Sequence, residues 1–93
     1  MDTEVIDMHK VDKFTRGDIV SFDDEDETVY GIVQRVDYDH DYAPDYISGM
    51  EVITEHGGTI WFVGEEIDAG FVEWEAKEAV PEAILEHLYT MLY

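Results

Sequence analysis

The 93-residue chain contains no cysteine. That removes disulfide scaffolds, thiolate catalysis and thiolate zinc sites together. Positive charge is nearly as scarce: 5 lysines and arginines stand against 24 aspartates and glutamates, a formal charge of −19. With so few cations, direct binding of phosphate or nucleic acid is excluded as a main activity. Serine occurs only at Ser21 and Ser48, neither in a sharp nucleophile turn, and no glycine-rich loop carries a lysine that would cradle a phosphate. No apolar run approaches the roughly 18–20 residues of a membrane span, and no basic stretch leading into an apolar one opens the chain. These absences predict a non-catalytic, soluble, cytoplasmic protein with neither cofactor nor metal.

What is present is enough to fold. Apolar residues make up 45% and aromatics 13%, more than a highly charged disordered tail carries, so the charge belongs on a folded body. The length suits one domain. Charge is distributed unevenly along it. In residues 1–16, Lys10, Lys13 and Arg16 nearly balance Asp2, Glu4, Asp7 and Asp12, and residues 1–13 read as an N-terminal arm. From Gly17 onward, 20 acids meet two bases, Arg35 and Lys77. Charge of one sign at that density opposes compaction. Solubility, life at high salt, or a partner with a strongly basic surface would each account for it. Eight isoleucines against five alanines run counter to high-salt composition.

Residues 14–76 read as five short strands punctuated by turn signals, the spacing of a small all-β barrel or sandwich. A first strand, Asp18 to Phe22, follows the turn at Arg16-Gly17. The run Asp23-Asp24-Glu25-Asp26-Glu27 reads as a solvated loop, because adjacent carboxylates cannot all be paired or buried. A second strand spans Thr28 to about Asp37, with Gly31 as its bend or bulge. Tyr38 to Gly49 is a longer loop. Met50–Thr54 and Thr59–Val63 form a hairpin around His56-Gly57-Gly58. The fifth strand, Phe71 to Glu75, follows a short turn over Gly64 to Gly70. Residues 80–93 change to helical spacing. Pro81 suits the first helical position, and Ile84, Leu85, Leu88, Met91 and Leu92 form one apolar stripe. That stripe must dock on the barrel or on a second copy of the chain, as a homodimer.

The segments Phe14-x-x-Gly17-Asp18-Ile19-Val20, Tyr30-Gly31-Ile32-Val33, Met50-Glu51-Val52-Ile53 and Gly58-Thr59-Ile60-Trp61-Phe62-Val63-Gly64-Glu65-Glu66-Ile67 resemble a small SH3-like barrel. KOW and Tudor-type domains, and many short phage-borne proteins, are similar in pattern: a Gly-Asp turn before the first strand, a glycine in the second, and an aromatic strand running into a one-turn helix. The resemblance implies a mainly β, five-stranded SH3-like barrel with an added C-terminal α-helix. The acidic composition and the extra helix depart from that pattern, so nucleic-acid binding is not carried over.

Asp37, Asp39, Asp41 and Asp45 fall at oxygen-ligand positions of a calcium loop, but Tyr42 stands where the sharp-turn glycine belongs and Ser48 where the bidentate glutamate belongs. The acids are better read as rows. In an extended chain residues i and i+2 lie about 6.6–6.8 Å apart on one face, so Asp37, Asp39 and Asp41 would line up like successive backbone phosphates. Asp23, Asp24, Glu25, Asp26 and Glu27 form a second row. Glu65, Glu66, Asp68, Glu73 and Glu75, continued by Glu78, Glu82 and Glu86 toward the C-terminus, form a third. Interleaved Tyr38, Tyr42 and Tyr46 add low-entropy contact area. The expectation is an acidic DNA mimic, phage-type, that binds and inhibits a basic nucleic-acid-handling host protein such as a defence nuclease. The alternative is an SH3-like adaptor that takes protein segments in a groove lined by Tyr30, Trp61 and Trp74, its acids serving solubility.

Overall fold

The computed structural model describes residues 14–39, 41 and 46–92. The arm over 1–13, and Tyr42 and Asp45 of the expected contact surface, lie outside the described residues. The architecture is mainly β. Five strands, β1 (Ile19–Asp24), β2 (Glu27–Tyr38), β3 (Ile47–Thr54), β4 (Thr59–Val63) and β5 (Val72–Glu75), form one antiparallel sheet in the order β4-β3-β2-β1-β5. A one-turn helix α1 (Gly64–Asp68) links β4 to β5, and a 3-10 turn at Lys77–Ala79 leads into the C-terminal helix α2 (Glu82–Leu92).

The sheet coils without closing. Phe22 on β1 and Phe62 on β4 meet edge to face, ring centroids 5.3 Å apart, although their strands are three places apart in sheet order. In a flat sheet three strand spacings come to about 14 Å, so the sheet must wrap around its own inner face. No ladder joins β4 to β5 among the described residues, so the expected barrel is a coiled sheet with two free edges.

Both faces of the central strands are buried, each against a different core. The inner core holds Phe14, Val20, Phe22, Val29, Val33, Met50, Val52 and Phe62. On the outer face Ile19, Ile32 and Ile53 pack beneath Val80, Leu88 and Leu92, with Ile84, Leu85, Tyr89 and Met91 alongside. The apolar stripe of α2 therefore seats on the sheet of its own chain. Leu88 is wholly buried there, and truncating a buried leucine to alanine costs about 2–5 kcal/mol.

Several local expectations change. The acidic run is not a loop: Asp23 and Asp24 complete β1, Glu27 opens β2, and only Glu25 and Asp26 turn. Pairing needs backbone groups alone, so exposed carboxylates do not stop it. Gly31 stays in register between Val20 and Thr54. Its lack of a side chain serves close packing instead, since a Cβ there would overlap a Val52 methyl group. The bulges fall at Val33/Arg35 and Asp37/Tyr38. The first inserts Gln34, whose amide donates to Glu51 at 3.0 Å, and it returns Val36 to the inner face against Met50. Ile47 to Gly49, expected in a loop, begin β3.

Candidate protein-binding surface

At the β1–β2 tip, Glu25 and Asp26 both take positive φ, 50° and 70°. A two-residue hairpin of the twist-matched type requires that conformation, and glycine or asparagine usually supplies it. Neither is present here. Asp24 pairs directly with Glu27 on the last rung, so like charges face each other across the strands. All five side chains from Asp23 to Glu27 are exposed. Glu27 lies 3.5 Å from the His56 imidazole on the β3–β4 turn. This end of the sheet thus holds an exposed acidic ridge.

The other rows are less free. Asp37 pairs with Arg35 at 3.3 Å. Beyond Tyr38 the strand ends: the Asp39 backbone N–H donates to the Tyr46 carbonyl and the Asp39 carboxylate accepts from the Asp41 N–H at 3.2 Å. The Asp37, Asp39, Asp41 line of an extended chain is therefore not formed, because a bulge and a turn interrupt it. Tyr38 is exposed with its hydroxyl 3.5 Å from the Phe14 carbonyl. Glu66 accepts the Val63 N–H at 2.9 Å and so caps α1. Glu75 accepts the Ser21 hydroxyl at 2.6 Å, tying β5 to β1. Glu65, Asp68 and Glu73 are exposed. Two of the described cations are engaged locally: Arg35 also lies 5.4 Å from the Trp61 ring centre, and Lys77 lies 5.6 Å from that of Tyr89. The Tyr89 hydroxyl holds the Lys77 ammonium above the usual lysine value, by hydrogen bonding first and by charge second.

Tyr30, Trp61 and Trp74 do not share a groove. Tyr30 packs beside α2 on β2, whereas Trp61 and Trp74 stand on β4 and β5, the opposite edges of the sheet. A cavity of about 580 Å³ opens elsewhere, at the hairpin end between those two edges. Phe22, Val29 and Phe62 lie at its floor, Ile60 and Phe71 at its walls, and Asp23 and Asp24 at its rim. Phe71 is 60% exposed and Ile60 37%, while the other three phenylalanines are buried. These lining residues come from four separate segments and no local pattern in the sequence joins them.

Among the described residues, no group of three or more histidines and carboxylates is placed to hold a metal ion. No helix among them is long and apolar enough to cross a membrane. Comparison with known proteins finds no matching family model, no matching curated protein and no matching solved structure.

Proposed function

We propose that this protein is a non-catalytic binding module built on an SH3-like sheet, whose acidic ridge occupies the basic groove of a nucleic-acid-handling protein as a DNA mimic. The strand order β4-β3-β2-β1-β5, with a one-turn helix between the two edge strands, supports the SH3-like part. The observation that carries the functional part is the β1–β2 tip. Glu25 at positive φ costs about 1–2 kcal/mol, Asp26 tolerates that region better, and the facing Asp24 and Glu27 add repulsion. Asparagine and glycine at positions 25 and 26 would remove the backbone part of that cost. A fold that keeps five carboxylates on one hairpin tip against such a cost has a use for the charge itself. A salt-adapted surface has no need to fix its acids this way.

Binding by this surface is electrostatically steered and weakened by salt. The test is affinity capture from a cell lysate at low ionic strength, with duplex DNA as competitor. Capture of a DNA- or RNA-handling protein that duplex DNA displaces supports mimicry. Recovery of no such protein sinks it.

A further inference from the structure

The cavity between β4 and Phe71 lies beside the acidic tip, and Asp23 and Asp24 belong to both. We infer that it takes a single apolar side chain from a basic partner segment, with the arginines or lysines flanking that side chain meeting Asp23 and Asp24. This locates the contact and rests on the acidic-surface function proposed above.

Three observations lead there. The first is size: a cavity of about 580 Å³ falls in the range of ligand-holding sites, and an apolar space of only about 150 Å³ already admits benzene. The second is the state of Phe71. The chain buries Phe14, Phe22 and Phe62 yet leaves Phe71 60% exposed at the cavity wall, opposite exposed Ile60. An inserted apolar side chain would cover exposed Phe71 and contact the buried phenylalanine floor, and a single anchor seated in a pocket can carry much of an interface's affinity. The third is charge complementarity. Of the ionisable residues at the cavity, Asp23 and Asp24 are carboxylates and His56 is already beside Glu27. An acidic rim over an apolar floor rejects an acidic or neutral polar segment and selects a basic one around an apolar anchor.

The probe is a five-residue peptide with one phenylalanine flanked on each side by two arginines, compared with the same peptide carrying glycine at the centre. Isotope-labelled full-length protein is titrated with each by NMR at low ionic strength. The phenylalanine peptide is expected to shift the amides of Ile60, Phe62, Gly70 and Phe71. It should also bind about tenfold or more tightly than the glycine peptide, the scale of one buried anchor. Phe71→Ala is expected to erase that difference, and Asp23→Asn with Asp24→Asn to weaken both peptides. Equal binding of the two peptides by the unaltered protein overturns the cavity inference and leaves the acidic-surface function standing. Failure of both peptides to bind overturns both readings.

Discussion

Trp61 lies against the bare Cα of Gly49, one strand away, where a methyl group would overlap its six-membered ring. The glycine thus makes a seat for the indole, which Arg35 covers from 5.4 Å. Gly49→Ala is expected to push the ring outward. Trp61 is already 41% exposed and has room to leave, so the cost falls near the low end of overpacking, about 1–2 kcal/mol. A lowered urea midpoint checks this. In a Trp74→Phe background, red-shifted emission reports the displaced indole. Adding Trp61→Ala should make the Gly49→Ala penalty largely vanish, since the two act through one contact.

The acidic turn should be improvable at the expense of its use. Glu25→Asn with Asp26→Gly supplies the residues that positive φ favours and removes two charges. Stability in denaturant is expected to rise by about 1–2 kcal/mol, while capture of the basic partner weakens. A double variant that is less stable than the parent would contradict the strain assigned to this turn.

Salt should move folding and binding in opposite directions. With 20 acids against two bases after residue 16, self-repulsion in the folded chain is long-ranged at 0.01 M salt, where the screening length is about 30 Å, and short-ranged at 1 M, where it is about 3 Å. The thermal midpoint measured by circular dichroism is expected to rise across that range as partner affinity falls. A midpoint indifferent to salt would mean that the acids are neutralised within the fold.

Lys77 gives an alkaline signature. Its folded pKa is raised, by the hydrogen bond to Tyr89 first and by charge second. Whatever stability it lends is therefore complete below the ordinary lysine pKa of about 10.4 and is lost as pH rises through the folded value. An NMR titration of the lysine Cε–H signals should show the Lys77 midpoint move back toward the ordinary value in Tyr89→Phe.

Sequence patterning was informative where one physical cause acted alone. The stripe of α2 has a single apolar face, so its spacing announced the helix, and Gly57 at a φ of 97° accounts for the β3–β4 turn read from His56-Gly57-Gly58. It failed where causes competed. Asp23 to Glu27 carry loop-like charge on strand-forming backbone, and the ladder prevailed. Along β2, Ile32 faces α2 and Val33 faces the inner core, so strand alternation is lost in a run covered on both sides. The bulge that restores Val36 sits at Gln34, a residue with no turn chemistry to betray it. The acidic tip was legible as charge but not as a paired hairpin end. The cavity was not legible at all, because Phe22, Val29, Ile60 and Phe71 meet only through the coil of the sheet.

That coil also orders events in time. Three of the four strand pairings join neighbours in the chain, whereas β5 returns to β1 across the whole sheet, Phe22 pairing with Val72 and Ile19 with Glu75. Closing so long a loop costs entropy before any contact offsets it. The β1–β4 meander is then expected to assemble first, and β5, with Phe71 at its entrance, to arrive last and detach first. The cavity spans that boundary, so the wall that Phe71 provides depends on the one long-range pairing of the sheet.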